Sequence, residues 1–432
     1  MEKSFILKGD ICYSKNPVAL DCTEQGYLVC VNGLSEGVYR QLPERFAQLP
    51  ITDCGSCLIL PGLTDLHVHA PQYAFRGLGM DLELLDWLNT RTFPEEAKYA
   101  DPDYALTAYT AFVDDLKRGP NTRACVFATV HVPATVRLME LLEQSGLVTM
   151  VGKVNMDRNS IPALGEDTGC SLRDTQAWLK GCAGRYQNTT PILTPRFVPA
   201  CTDELMRGLG ELQSRYRLPV QSHLSENPSE VAWVKGLCPE ATCYGDAYRR
   251  FGLFGGDAPT VMAHCVWTTD QEARLIRESG VYVAHCPQSN TNLTSGIAPV
   301  RRYLDTGISV GLGSDIAGGC HSSIFRAMSD AIQVSKLRRR LVDPKEAPLS
   351  VEEAFYLGTA GGGGFFGNVG SFAPGYELDA LVIDDAPLAA PFPLSIPDRL
   401  ARVIYLSDDR HIRAKYVRGR ALCLAQSFSS RK

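Results

Sequence analysis

The sequence has little net charge and no long apolar run, and each absence excludes a class of function. Its 432 residues carry 43 Lys and Arg against 48 Asp and Glu, a formal net charge of −5. A nucleic-acid-binding surface normally shows a clustered basic face, so we expect no DNA or RNA partner. No stretch reaches the roughly 18 apolar residues of a membrane span, so we expect no membrane insertion. This balance favours a small-molecule partner.

The N-terminus also lacks the features of a secretory signal. Residues 1–8 include only three consecutive apolar residues, fewer than the roughly 7 to 15 of a signal-peptide core. The 15 cysteines are an odd number, which suits reduced thiols better than a disulfide framework. We therefore expect a cytoplasmic protein. The single C-x-x-C pair, Cys54 and Cys57, is only a weak indication of a metal site.

What the sequence does contain is a series of short β-rich runs that alternate with helical patterns. Several runs are apolar on both faces, as strands covered by helices should be. They span residues 63–67, 124–130, 148–154, 192–196, 220–223, 261–264, 281–285 and 308–315. Eight strand–helix units in about 250 residues are the size of a (β/α)8 barrel. We predict an α/β fold of this TIM type for residues 61–371, with a doubly wound open sheet as the alternative.

The two ends of the chain are typical of a different unit. Residues 1–60 and 372–432 contain short alternating segments separated by Gly, Asp and Pro, for example residues 27–31 and 378–383. Alternation of this kind indicates strands with one buried face. We predict a small β-sandwich domain to which both chain ends contribute.

Ligand-type side chains stand where the predicted barrel strands end, which is the face that forms the active site of a parallel barrel. They are His67, His223, His264, His285 and Asp315. The core of this signal is the His67-Val68-His69 motif, because residues i and i+2 of a strand face the same side and can bind one ion together. Imidazole and carboxylate ligands suit zinc or another borderline divalent cation. The alternative is a pair of ordinary core histidines.

The spacing of these residues supports one common site. His223 follows His67 by 156 residues, about four barrel units, and His264 follows 41 residues later, about one unit. Glu226 lies three residues past His223 and could carry a proton, although a glutamate in the first turn of a surface helix has the same pattern. Asp315 could orient a water nucleophile or, equally, cap a helix.

Taken together, these motifs resemble the amidohydrolase superfamily. The resemblance rests on Pro61–Ala70 (PGLTDLHVHA), His69–Tyr73 (HAPQY), Leu85–Leu88 (LDWL), Thr92–Pro94 (TFP), Thr194–Phe197 (TPRF), Ser222–Asn227 (SHLSEN), His264, His285–Pro287 (HCP) and Gly313–Gly319 (GSDIAGG). It covers the whole predicted barrel and, more loosely, the flanking residues. It implies hydrolytic deamination of an amino-substituted purine, one zinc ion per subunit and a homodimer.

The resemblance also implies roles for individual residues. The implied metal ligands are His67, His69, His223 and Asp315, and the implied catalytic groups are Glu226, His264 and Asp315. The implied substrate contacts are His69, Gln72, Arg196, Phe197, His223, Glu226 and Asp315. Arg196 stands where two-metal relatives carry a bridging Lys or Glu, and its positive charge argues for a single cation.

Two alternatives stay open on the sequence. The same site could deaminate another amino-substituted heterocycle, such as an oxidised purine, a pterin or a triazine. The chain could also be a non-catalytic scaffold on a hydrolase fold, although no implied ligand position is lost. Metal content and ammonia release separate these cases.

Overall fold

Within residues 4–422, which the structure, a computed structural model, describes, the strands form four sheets. The strands are β1 Phe5–Asn16, β2 Ala19–Val31, β3 Leu34–Tyr39, β4 Ile51–Pro61, β5 Leu63–His69, β6 Asn121–Phe127, β7 Val148–Gly152, β8 Val154–Asn155, β9 Thr189–Pro191, β10 Thr194–Pro195, β11 Val220–Leu224, β12 Thr260–His264, β13 Tyr282–His285, β14 Val310–Leu312, β15 Ala380–Ile383, β16 Ile412–Val417 and β17 Arg420–Leu422. Three of the sheets are parallel, in the orders β5-β6-β7-β9, β11-β12-β13-β14 and β10-β8.

Helices connect the parallel strands and cover them. They are α1 Leu84–Trp87, α2 Phe93–Ala97, α3 Pro102–Arg118, α4 Val132–Ser145, α5 Thr168–Cys182, α6 Asp203–Tyr216, α7 Pro228–Leu237, α8 Tyr244–Arg249, α9 Asp270–Glu278, α10 Pro287–Asn292, α11 Val300–Asp305, α12 Ile324–Leu341, α13 Val351–Tyr356 and α14 Ile396–Leu406. In α3, Tyr109, Phe112 and Leu116 recur at helical spacing and are buried, which anchors the helix to the core. None of the helices within residues 4–422 is both long enough and apolar enough to cross a membrane.

Strands occupy all eight predicted positions, so the mixed α/β pattern is confirmed, but their ends differ. The strand predicted to reach Asp315 ends at Leu312, and the run predicted over residues 148–154 divides into β7 and β8. Pairing leaves the parallel strands in separate sheets, so it does not by itself close a ring. Backbone contacts link these sheets, among them a parallel bridge between Leu193 and Val220 and a hydrogen bond of 2.8 Å from Asp315 N to His67 O.

The two chain ends share one seven-stranded sheet, in the order β17-β16-β15-β4-β1-β2-β3. Strand β4 pairs in parallel with β1 and antiparallel with β15, so the N-terminal strands and the C-terminal strands lie side by side in one layer. The predicted joint contribution of both ends is confirmed by this sheet. The structure shows one sheet where a two-layer sandwich was predicted, so the sandwich and its bounds stay predictions, and residues 423–432 of the predicted domain lie outside the described residues.

Buried charges tie the seven-stranded sheet to the parallel strands. We call Arg123, Glu377, Asp379 and Arg418 the junction cluster. Arg123 Nε donates to Asp379 Oδ2 at 2.7 Å, and its Nη2 donates to Glu377 Oε2 at 2.6 Å. The backbone N–H of Arg418 donates to Asp379 Oδ1 at 2.9 Å. These three bonds pair cationic or backbone donors with carboxylate oxygens.

Candidate active site

The carboxyl ends of the parallel strands bring the predicted ligands together. His67 and His69 belong to β5, His223 belongs to β11, and Asp315 follows β14. We call these four side chains the ligand cluster. His67, His69 and Asp315 are buried and His223 is partly exposed, and all of them except His67 line one pocket.

The separations within the ligand cluster match a single coordination shell. His69 Nε2 lies 3.2 Å from both His67 Nε2 and His223 Nε2. Asp315 Oδ1 lies 3.2 Å from His67 Nε2 and 3.6 Å from His69 Nε2. Ligand atoms at zinc bond lengths around a tetrahedral centre stand about 3.3–3.4 Å apart. One proton cannot bridge His69 Nε2 to two nitrogens at once, so a cation accounts for this arrangement better than hydrogen bonding does.

The protonation states also suit a cation. His223 Nδ1 donates to the carbonyl oxygen of Arg196 at 2.6 Å, which leaves the lone pair of its Nε2 facing the cluster. Burial, followed by repulsion from His67, holds the pKa of both His69 and His223 well below the usual value. Burial would raise the pKa of Asp315, but the neighbouring histidines outweigh it and hold that pKa well below its usual value. Neutral imidazoles and an ionised carboxylate are the forms that bind metals.

Asp315 reaches the cluster because the chain passes unusually close to β5. A Cβ atom at Gly313 would lie 2.9 Å from His67 Cβ, so only glycine fits there without displacement. The buried Asp65 carboxylate accepts from Ser314 N at 3.0 Å, from Ser314 Oγ at 2.5 Å and from His67 N at 3.1 Å. These bonds hold the segment after β14 against β5.

Two alternatives that the sequence allowed are wrong. Asp315 does not cap a helix, because the next helix, α12, begins at Ile324 after Ser323. Glu226 is not a surface residue of a helical first turn, because it is buried and precedes Asn227, the N-cap of α7. Both carboxylates instead line the pocket beside the ligand cluster.

Glu226 and His264 form a second pair next to the ligand cluster. His264 Nε2 lies 3.4 Å from Glu226 Oε2 and 3.7 Å from Asp315 Oδ2. Ser295 Oγ donates to Glu226 Oε1 at 3.1 Å, and His264 Nδ1 lies 2.9 Å from Asn290 Oδ1. Burial, followed by the negative charge of Asp315, raises the pKa of Glu226 to about 8. A carboxyl group with that pKa can both donate and accept a proton near neutral pH.

The loop that carries Glu226 is fixed by other buried carboxylates. Glu230 Oε2 accepts from Glu226 N at 2.9 Å, and Glu230 Oε1 accepts from Tyr244 OH at 2.7 Å. Glu272 Oε2 accepts from Ser225 Oγ at 2.8 Å. The Glu226 side chain therefore enters the pocket from a backbone that is held on both sides.

The rest of the pocket combines polar groups with an apolar wall. Gln72 lies on a short 3-10 helix, Ala70–Phe75, directly after β5, and Arg196 and Phe197 directly follow β10. The pocket is lined by His69, Gln72, Leu84, Trp87, Leu88, Arg196, Phe197, His223, Glu226, Glu230, His264, Leu293 and Asp315. Every substrate contact implied by the resemblance is in this lining.

Other sequence candidates lie elsewhere. His285 is buried, and neither ring nitrogen has a hydrogen-bond partner among the described residues. Burial lowers its pKa to about 3, so its ring is neutral. Cys54 and Cys57 belong to none of the ligand-type clusters found within residues 4–422. Cys286 lies near His264 and Asp315, but burial raises the pKa of its thiol well above the usual value, which disfavours the thiolate that binds metal.

Sequence reasoning missed Glu96, which contacts two of the pocket residues. Gln72 Nε2 donates to Glu96 Oε1 at 3.1 Å, and Arg196 donates to Glu96 Oε2 at 2.5 Å and to Oε1 at 3.0 Å. Glu96 is buried on α2, three residues after Phe93 of the TFP motif. That motif was the only nearby signal, because no local pattern joins Glu96 to residues 24 and 100 positions away.

Comparison with known proteins places this geometry in a family. A family model described as the amidohydrolase family matches residues 58–422. The chain is 37% identical over 418 residues to a guanine deaminase of Dictyostelium discoideum, covering 95% of this chain and 88% of that protein. It is 36% identical over 375 residues to a human guanine deaminase, covering 84% and 82%.

The fold is similarly matched by solved structures. The crystal structure of a guanine deaminase from C. acetobutylicum, with guanine bound in its active site, superposes with a TM-score of 0.95. The two chains are 46% identical, and the match covers 97% of this chain and 100% of that one.

Proposed function

This chain belongs to the amidohydrolase family, and we propose that it is a guanine deaminase, which hydrolyses guanine to xanthine and ammonia. The observation that carries the proposal is one pocket lined by three members of the ligand cluster, the buried acid Glu226 and the donor pair Gln72 and Arg196. Each of the three elements supplies a different requirement of the reaction: a nucleophile, a proton and recognition of the ring.

The fold we propose is a (β/α)8 barrel built by residues 61–371, with residues 1–60 and 372–432 as one small β-sandwich domain. Support comes from the parallel order of the strands and from the contacts that join β5 to the segment after β14 and β11 to residue 193. In such a barrel the active site lies at the carboxyl ends of the strands, where the ligand cluster stands.

We propose that His67, His69, His223 and Asp315 hold one zinc ion. Their separations and protonation states fit a borderline cation with nitrogen and oxygen ligands. When bound, such a cation lowers the pKa of water towards ~7 and so makes hydroxide available at neutral pH. The resemblance implies that Arg196 stands where two-metal relatives carry a bridging Lys or Glu, and because a guanidinium has no lone pair to bind a cation, we propose a single ion.

In the proposed reaction, the two oxygens of Asp315 have separate tasks. Oδ1 faces the ligand cluster, whereas Oδ2 faces His264, which in turn faces Glu226. Asp315 and His264 accept the proton of the attacking water. Glu226, which is protonated at neutral pH if its pKa is near 8, donates its proton to ring nitrogen N3 of guanine.

Protonation at N3 makes C2 an electrophile, and hydroxide adds there. The proton held by His264 and Asp315 then passes to the exocyclic amine, the C2–N bond breaks, and ammonia leaves. Glu226 accepts the proton of the C2 hydroxyl as the C2 carbonyl of xanthine forms, and N3 keeps the proton that Glu226 donated. The sum is guanine plus water giving xanthine plus ammonia, with no oxidant or reductant.

Recognition of the purine is assigned to Gln72, Arg196 and the backbone of Phe197. The N–H groups of Arg196 and Gln72 that are not used inside the protein can donate to O6 of guanine. A pocket whose buried donors need an acceptor rejects ligands that lack one far better than an apolar pocket does. His69, His223, Glu226 and Asp315 contact the end of the ring at which the reaction occurs.

Replacing Glu226 by Gln tests the proton-transfer role. The Glu226→Gln amide has nearly the same shape but carries no transferable acid proton, so we expect turnover of guanine to fall by about 1,000-fold while one zinc per chain stays bound. Ammonia release and metal analysis measure the two quantities. Ammonia release at a near-normal rate would reject this role.

Glu272→Gln is the matched control. Glu272 is also a buried carboxylate, and it contacts Ser225 in the same loop, but it does not line the pocket. We expect this variant to lose stability and to keep most of its turnover. A similar loss in both variants would mean that Glu226 acts through the structure of the loop.

Rival substrates are separated by the same assay. If ammonia release from 8-oxoguanine, a pterin or an aminotriazine exceeds release from guanine, that compound and not guanine is the preferred substrate. A purified protein with neither metal nor activity would revive the non-catalytic scaffold. The homodimer and the cytoplasmic location stay predictions, and sedimentation of the purified chain tests the former.

A further inference from the structure

We infer that Glu96 is a positioning residue that makes the pocket selective for a purine with an oxygen at C6. The inference rests on the proposed function and deepens it. Glu96 is buried and is not part of the pocket lining, so it acts through the two residues it holds, Gln72 and Arg196.

The Gln72 amide is held in one orientation from both sides. Its Nε2 donates to Glu96 Oε1 at 3.1 Å, and its Oε1 accepts from Ala317 N at 3.0 Å. A carboxylate can only accept, and a backbone N–H can only donate. Rotating the amide by half a turn would therefore place oxygen against oxygen and N–H against N–H. Glu96, together with the Ala317 backbone, thus determines which end of the Gln72 amide carries the N–H groups.

Arg196 is held by the same carboxylate. Its two terminal nitrogens contact the two oxygens of Glu96 at 2.5 Å and 3.0 Å. Its guanidinium also lies 5.1 Å from the ring centre of Phe93, which belongs to α2 like Glu96. A bidentate contact of this kind fixes the plane of the guanidinium as well as its position. The N–H groups that Glu96 does not use are consequently directed in one plane.

The result is a pocket wall that offers several donors in a fixed arrangement. A carbonyl oxygen at C6 of the purine accepts from such donors, whereas an amino group at C6 opposes them with its own hydrogens. A hydrogen atom at C6 neither accepts nor donates. In Glu96→Gln, the N–H groups of the new amide would face a donor of Arg196 or Gln72, and both the Gln72 amide and the guanidinium would lose their fixed orientation.

The test compares guanine with 2-aminopurine and 2,6-diaminopurine. All three carry the amine at C2 that the proposed reaction removes. They differ at C6, and guanine also carries a hydrogen on N1 that the two analogues lack. In Glu96→Gln we expect kcat/KM for guanine to fall by about 100-fold, mainly through KM, because the donors for O6 are misplaced. We expect kcat/KM for 2-aminopurine to change far less, so the preference for guanine over both analogues should collapse.

Glu95→Gln is the matched control. Glu95 is the adjacent buried carboxylate on α2, but it contacts Lys98 and Tyr104 instead of the pocket residues. We expect the substrate preference of this variant to equal that of the wild type. Thermal unfolding and metal content are measured for both variants, so that loss of fold or of metal is seen directly.

The outcomes are distinct. An equal fall in kcat/KM for guanine and 2-aminopurine, or an unchanged preference, would overturn the role of Glu96. Wild-type protein that releases no ammonia from guanine would instead overturn the proposed function. If Glu96→Gln does not accumulate in folded form, Glu96→Asp provides the same test, because the shorter side chain keeps the charge but cannot reach both partners. A retained preference in Glu96→Asp, with folding and metal intact, would also overturn the inference.

Discussion

The junction cluster and the ligand cluster are both polar and largely buried, yet their hydrogen-bond balance is opposite. In the junction cluster, the donors of Arg123 and Arg418 meet the acceptors of Asp379 and Glu377. In the ligand cluster, imidazole nitrogens and a carboxylate oxygen face one another at 3.2–3.6 Å. Satisfied groups indicate a structural role, whereas clustered acceptors indicate that a cation belongs among them. The balance of donors and acceptors therefore distinguishes a site from a structural contact when burial alone does not.

The largest expected effect follows from removing a ligand. Asp315→Asn takes away the anionic oxygen of the cluster, so we expect loss of the bound metal and a fall in guanine turnover of at least about 1,000-fold. Metal analysis and an ammonia assay measure both. The account of the ligand cluster fails if this variant keeps a full complement of metal and normal turnover.

Breaking the junction cluster should lower stability without affecting metal binding or turnover. Arg123→Leu leaves the buried Asp379 carboxylate without its main partner, and an unpaired buried charge costs about 3–5 kcal/mol of stability. We expect the free energy of unfolding to fall by that amount while metal content and turnover per folded molecule stay unchanged. Urea unfolding followed by the ammonia assay checks this. Loss of metal in Arg123→Leu would show that the two clusters are coupled.

A buried lysine beside the junction cluster should make stability depend on pH. Lys415 Nζ donates to the carbonyl oxygens of residues 116, 117 and 119 at 2.8–3.2 Å, and burial lowers its pKa from 10.5 to about 7. Between pH 7 and 10.5, the unfolded chain therefore keeps a proton on Lys415 that the folded chain has already released. Stability is lowest below about pH 7 and rises across this window, by at most ~1.4 kcal/mol per pH unit.

Lys415→Met is the comparison for that pH dependence. Methionine has a similar length and does not titrate. The unfolding free energy of the wild type minus that of the variant should therefore increase from pH 7 to pH 9. Urea unfolding at each pH measures it. A difference that stays constant across this range would mean that Lys415 keeps its charge when folded.

The smallest effect is expected at the exposed edge of the junction cluster. Arg418 Nε lies 2.9 Å from Glu377 Oε2, but both side chains are about one-third exposed, and solvent screens the pair. Arg418→Gln should therefore cost less than about 1 kcal/mol of stability. A loss as large as that of Arg123→Leu would show that the exposed pair is as important as the buried one.

The ligand cluster was predictable because its residues recur at one structural position. Histidines at the ends of successive parallel strands must meet on the same face, whatever the details of the loops. The spacing of His67, His223 and His264 in multiples of one strand–helix unit therefore indicated one common site. The exact strand ends did not matter, which is why Asp315 was assigned correctly to the pocket although β14 stops at Leu312.

Glu96 was not predictable for the opposite reason. Its partners Gln72 and Arg196 come from different strand ends, and no periodicity in the sequence connects them. The flanking sheet shows a related limit. Alternation predicted strands at both chain ends, but it does not indicate whether those strands form one layer or two. It also does not indicate their order, such as the place of β4 between one partner from each chain end.

A zinc titration of metal-free protein tests the central claim most directly. The chain is stripped with a chelator, zinc is added in known amounts, and ammonia release from guanine is measured at each step. A single ligand cluster of His67, His69, His223 and Asp315 predicts no turnover without metal, a linear rise in turnover and a plateau at one zinc per chain. Turnover by the metal-free chain, or a rise that continues to two zinc ions per chain, would contradict the account.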